Sequence, residues 1–158
     1  MSQTSTPAGF VELAAATNFS FLKGASHPEE MAVRAAGLGL AGLAVTDRNT
    51  LAGVVRAHAA AKEARLPFAV GCRLAFTDDT PDLLAWPTDR AAYGRLCRLL
   101  TVGNMRGAKA DCRLLRADLP AHAEGIAFAV LPFTAPEAAV ADTVGVLKEA
   151  TAEPVRLI

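Results

Sequence analysis

The side chains able to do chemistry are few and scattered. His27, His58 and His122 share no i, i+3 or i, i+4 spacing, so no helix presents two imidazoles to one metal ion. His27 follows Ser26 at a helix start and reads as a surface residue. His58 falls on the apolar stripe of a helix and reads as a half-buried, satisfied histidine. His122 sits in a loop before Gly125 and has no evident chemical role. Cys72, Cys97 and Cys112 are odd in number and lack C-x-x-C spacing, which argues against a disulfide framework or structural zinc and fits a reducing, cytoplasmic setting. Cys72 and Cys97 read as small hydrophobes, and Cys112 as the exposed thiol. Ser20 and Ser26 lack a G-x-S-x-G context. Gly37, Gly39 and Gly42 follow a helix, not a strand, and so make no dinucleotide fingerprint. One charged cluster stands out. Residues 90–116 carry Arg90, Arg95, Arg98, Arg106, Lys109, Arg113 and Arg116 against Asp111. Arg95, Arg98, Arg106 and Lys109 are its candidate nucleic-acid or partner surface, with an ordinary solvated helix and loop as the other reading.

The elements that must position these groups alternate. Residues 10–14 form a short apolar run that predicts a strand, and 17–25 a loop. Ser26-His27-Pro28-Glu29 signals a helix start, with Ser26 as the cap, Glu29 closing a capping box and Pro28 in the first turn. That helix should end near Leu38, between Gly37 and Gly39. Leu43 to Val45 predicts a buried strand ending at Thr46-Asp47. Asn49 or Thr50 caps a second helix with Leu51, Val54, Val55 and His58 on its apolar face. Residues 67–76 predict one strand, Asp78 to Pro81 a turn, and Leu83 to Trp86 another strand. Thr88-Asp89 caps a third helix whose face holds Tyr93, Leu96, Cys97 and Leu100. Asp118-Leu119-Pro120 opens a short turn, Ile126 to Leu131 is a strand, residues 136–150 a last helix, and 154–158 a last strand. Alternating strands and helices imply an α/β fold with a parallel sheet flanked by helices.

Composition bounds the function. The 158 residues are 52% hydrophobic and 20% charged, enough apolar content for a core and too much for wholesale disorder. Sixteen Lys+Arg balance sixteen Asp+Glu, which argues against a dedicated nucleic-acid binder. No apolar run approaches the roughly 20 residues of a membrane span, and the N-terminus lacks the pattern of a signal peptide. Residues 1–9 read as a flexible tail and 10–158 as a single domain. Ending on an apolar strand points to a chain cut from something longer.

Three blocks carry a resemblance. They are AAATNFSFLKGASHPEE (14–30), GLAVTDRNTLAGVVRAHAAAKEARLPFAVGCRL (42–74) and LLAWPTDRAAYGRLCRLLT (83–101). In this order they resemble the polymerase-and-histidinol-phosphatase (PHP) domain at the N-terminus of bacterial C-family DNA polymerases. Residues 18–30 and the stretch from Leu114 to Gly125 are most similar to the error-prone branch. The resemblance implies an incomplete, distorted (β/α)7 barrel, of which this chain supplies roughly the first two-thirds. It also implies a parent that adds nucleotides to DNA with Mg2+ held elsewhere, the rest of the polymerase chain as partner, and DNA contact through that parent. An unfinished barrel leaves a sheet edge open to self-association.

Active PHP domains hold a metal cluster with an H-x-H motif, an acidic residue before a glycine, T-D-H and G-x-E. The matching positions here are Ala14 and Ala16, Lys23, Thr46-Asp47-Arg48 and Gly71-Cys72-Arg73. Methyl groups carry no donor atom, and charged Lys and Arg have no lone pair to give a metal. Two cations about 4 Å apart repel by about 4 kcal/mol at an effective dielectric of 20. The resemblance therefore implies a site without metal and without catalytic residues, needing no cofactor in this part of the chain. Lys23, Arg48 and Arg73 would converge where the metals sit in active relatives. There they would hold Asp47, bind a phosphate or sulfate, or simply be solvated or paired with Asp47 and Glu12. The competing readings are a metal-dependent phosphoesterase or 3′–5′ exonuclease of the PHP type, and a free-standing interaction module.

Overall fold

The computed structural model describes residues 9–158, so residues 1–8 of the expected tail lie outside it. The chain runs β1 (Val11–Ala15), α1 (Pro28–Gly37), β2 (Gly42–Val45), α2 (Val54–Glu63), β3 (Phe68–Val70), β4 (Cys72–Leu74), β5 (Leu83–Pro87), α3 (Arg90–Arg106), β6 (Ile126–Val130), α4 (Glu137–Ala150) and β7 (Val155–Leu157). A 3-10 turn at Arg116–Asp118 sits between α3 and β6.

Helix α1 starts one residue later than its sequence signal. His27 is the N-cap, and its amide donates to Glu30 Oε2 at 2.9 Å, so Glu30 and not Glu29 closes the box. Glu29 is drawn away by an ion pair with Arg56 on α2. Helix α2 starts later still, at Val54. The Asn49 side chain is unavailable as its cap, because it brackets Ala75 with two bonds, Nδ2 to the carbonyl at 2.9 Å and the Ala75 amide to Oδ1 at 2.8 Å. The buried face of α2 is then Val54, Ala57 and Ala61, while Val55 and His58 are exposed. The expected apolar stripe was rotated from the true one. Alanine sets the contact: Ala61 packs with Ala32 and Ala35 of α1, which short side chains permit at close approach.

The expected strand over 67–76 is two strands. β3 pairs in parallel with β2 and β4 pairs antiparallel with β5. Gly71 is the break. A Cβ there would lie 2.6 Å from Thr46 Cγ2 and 2.8 Å from Trp86 Cδ1, so the chain turns from one sheet to the other only with glycine. The first sheet, β1-β2-β3, is fully parallel; the second, β4-β5-β6-β7, mixes antiparallel pairs with the parallel pair β6–β7. The parallel sheet expected from the sequence is β1-β2-β3, and the second sheet adds antiparallel pairs to it. A turn and not a helix joins β4 to β5, and a hairpin must be antiparallel. The sheets meet beyond β2, where Arg73 N–H donates to the Asp47 carbonyl at 3.1 Å and Asn49 N–H to the Arg73 carbonyl at 2.9 Å.

Helices α3 and α4 cover one face of the second sheet, burying Leu74, Leu83, Phe128 and Val130 against Leu96, Leu99 and Leu147. On the other face Leu84 and Ala129 pack with Trp86, whose indole N–H donates across to the Leu13 carbonyl at 3.2 Å. This inner face is an open trough rather than a sealed barrel interior. A cavity of about 260 Å³ runs along it between Leu13, Trp86 and Ile158. The outer strands β1 and β7 expose Val11, Leu13 and Leu157, and Ile158 just after β7 is exposed too. No helix among the described residues is long and apolar enough to cross a membrane.

Asp89 caps α3 as its sequence signal requires, accepting from the Ala92 amide at 2.7 Å. Asp89→Ala should cost about 1 kcal/mol of stability, read as a lower urea midpoint with an unchanged slope.

Candidate functional site

Asp47 lies two residues past the end of β2, with only 1% of its surface exposed. Buried carboxylates must find donors, and Asp47 finds three in the loop after β1. Thr17 N–H reaches Oδ1 at 2.8 Å, Ser20 Oγ donates to Oδ1 at 2.6 Å, and Thr17 Oγ1 donates to Oδ2 at 2.7 Å. Ser20 Oγ in turn accepts from the Arg48 amide at 3.0 Å. Of the readings open for Lys23, Arg48 and Arg73, holding Asp47 is not one the fold adopts: neutral hydroxyls and an amide hold it. The loop closes tightly, and a Cβ at Gly24 would fall 2.2 Å from the Thr17 carbonyl oxygen.

Above this knot lies a cleft of about 220 Å³ lined by Ala16, Ser20, Lys23, Thr46, Arg48, Arg73 and Asp82. Four of the five substituted ligand positions therefore share one cavity. The fifth, Ala14, lines the inner trough instead. Arg73 is not free. Its Nε and Nη2 both reach Asp82 Oδ2, at 2.8 and 2.7 Å. Its carboxylate partner is thus Asp82, not Asp47 or Glu12, and Glu12 turns back on the Ala14 amide. Lys23 and Arg48 have no carboxylate within 4.0 Å among the described residues. A second cavity of about 620 Å³ adjoins the cleft through Ser20, Lys23 and Arg48, and adds Phe19, Phe21, Phe76 and Cys112 to the lining.

The donor set does not fit a divalent ion. The cleft offers methyl groups, hydroxyls and cations, with Asp82 already tied to Arg73, and metals of the zinc or manganese kind need imidazole, thiolate or free carboxylate. Among the described residues no three His, Cys, Asp or Glu side chains cluster as a metal would need. His27 touches Asn18, His58 tilts against Phe68 and His122 meets the Asp118 carbonyl, three separate places. Burial pushes the Cys72 thiol up to about 12, so it stays protonated. Cys112 is half-buried rather than exposed, and burial raises it too.

The cationic run 90–116 is largely stapled to the protein. Arg106 forks onto both oxygens of Asp118 at 2.6 Å, holding that carboxyl below the usual carboxylate range. Arg95 engages Glu124, Arg113 pairs with Asp111, and Arg116 with Asp142. Of the four candidate surface residues, Arg98 and Lys109 remain exposed without such partners among the described residues.

Sequence reasoning missed Asp82, a turn residue with nothing to mark it, and the aromatic lining of the larger cavity. Thr17 and Ser20 were legible only as loop residues. Asp47→Ala should orphan these buried donors, at about 1–3 kcal/mol for each. We expect a loss of several kcal/mol by chemical denaturation, with Asp82→Ala, at the half-exposed pair, costing clearly less.

The PHP domain model matches residues 12–152. Error-prone DNA polymerase 1 of Rhizobium meliloti is 58% identical over 115 residues, covering 73% of this chain and 10% of that protein. Error-prone DNA polymerases of Brucella abortus and Rhodopseudomonas palustris are 55% and 50% identical, each over 78% of this chain and 12% and 11% of theirs. The chain thus spans about a tenth of the length of these curated relatives. Among solved structures, a protein of Bifidobacterium adolescentis described as a metal-dependent phosphoesterase superposes with a TM-score of 0.51 at 26% identity, covering 65% of this chain and 36% of that one. An amidohydrolase of Chromobacterium violaceum, holding sulfate and no metal, gives 0.50 at 28% identity, over 59% and 32%. Fold, motif order and relatives agree: the chain belongs to the PHP domain family, in the form found in error-prone DNA polymerases.

Proposed function

We propose that the chain is the N-terminal PHP portion of a longer error-prone DNA polymerase, where it is a metal-free, catalytically silent scaffold. The observation that carries this reading is the cleft itself. Ala16, Lys23, Arg48 and Arg73 stand together at positions where a metallohydrolase needs donors. Template-directed nucleotide addition, with its Mg2+, then belongs to the parent protein, as do contacts with DNA, and the inner trough receives the rest of the polymerase. A second reading, a metal-dependent phosphoesterase or exonuclease, has the Bifidobacterium neighbour in its favour. It shares the fold, but the donor set opposes it.

Elemental analysis of the purified protein should find no stoichiometric zinc, manganese or iron, and no phosphoesterase or exonuclease activity sensitive to chelation. A stoichiometric metal with such activity overturns the scaffold reading. The exposed edges of β1 and β7 should also make the isolated chain self-associate. Light scattering should show mass rising with concentration; a constant monomer mass would show that the edges are self-sufficient.

A further inference from the structure

The cleft brings cations together without neutralising them. Lys23 comes from the β1–α1 loop, Arg48 from the β2–α2 loop and Arg73 from β4, and all three line about 220 Å³. Asp82 offsets Arg73 alone. Like charges gathered from three elements repel, and nothing else in the cavity wall answers Lys23 and Arg48. At about 30 Å³ per water, the space admits a tetrahedral oxyanion with some hydration. Such an anion would accept hydrogen bonds from the Lys23 ammonium and the Arg48 guanidinium, the charge-assisted kind that is stronger than a neutral bond. The neighbouring cavity of about 620 Å³ opens from these same two residues and is faced by Phe21 and Phe76. Phe21 is 84% exposed, an apolar ring left largely in solvent. A flat ring system attached to the oxyanion would lie there by stacking.

We propose that Lys23 and Arg48 are the receptor for the phosphate of a nucleotide whose base occupies the aromatic cavity beside Phe21. The ligand is bound and not hydrolysed. This goes beyond the scaffold reading but rests on its metal-free cleft. The charges that metal ions bring to such a cleft are here supplied by side chains, so affinity survives chelation.

The test is calorimetric titration of the purified chain, in EDTA, with deoxyadenosine monophosphate, inorganic phosphate and deoxyadenosine. The monophosphate should bind most tightly, with affinity falling as salt is raised. Arg48→Ala should weaken both phosphate-bearing probes about tenfold or more, and Lys23→Ala should do so as well. Phe21→Ala should weaken the monophosphate and leave inorganic phosphate unchanged. All three side chains are exposed and outside the Asp47 knot, so circular dichroism should confirm intact folding. No binding of the monophosphate at millimolar concentration, or binding unmoved by Arg48→Ala, overturns the inference and leaves the scaffold reading standing. Binding seen only when a divalent metal replaces EDTA overturns both.

Discussion

A single buried carboxylate organises the working end of this fold. Asp47 gathers three donors from the loop after β1 and fixes that loop against the end of β2. Ser20 passes the constraint on, donating to Asp47 and accepting from the Arg48 amide. The Asp47 carbonyl then takes the Arg73 amide, which sews the parallel sheet to the mixed one. One residue thus joins loop, first sheet and second sheet. A carboxylate this deep survives only because its oxygens are satisfied, and the donors are held by the very segments it joins.

That arrangement explains how the cleft keeps its shape with methyl groups and cations where active relatives carry ligands. In a metal site the ion draws its ligands together and supplies binding energy. Here hydroxyl–carboxylate bonds beneath the cleft and the Arg73–Asp82 pair at its side close it. Shape and chemistry are set separately: the backbone resembles two solved hydrolases, while the lining offers methyl groups, hydroxyls and cations. Fold similarity alone does not assign an activity.

The fold was legible in the sequence wherever one local signal decided the outcome. Asp89 before the Tyr93–Leu96–Leu100 pattern gave α3, because a cap and a long apolar face agree. It failed where a side chain was claimed from afar. Asn49 looked like a helix cap, but Ala75, 26 residues away in sequence, takes both its amide groups. Gly71 looked like the middle of one strand. Its role, letting Thr46 and Trp86 close on the backbone, comes from two other elements. The arginine run read equally as a nucleic-acid or partner surface and as an ordinary solvated face, because its partners Glu124, Asp118 and Asp142 lie downstream of it.

Residue types at given positions can be read directly, and they determined two things. The order of the three blocks determined the family. Ala16, Lys23, Arg48 and Arg73 determined that no ordinary metal set stands at those positions, since donor chemistry belongs to the side chain wherever it lies. What surrounds each charge was decided by the tertiary structure. Among the described residues Lys23 and Arg48 have no carboxylate partner while Arg73 does, and Asp47 lies beneath the cleft rather than among its cations. Pairing depends on which atoms come within a few ångströms, and folding sets that distance between residues far apart along the chain.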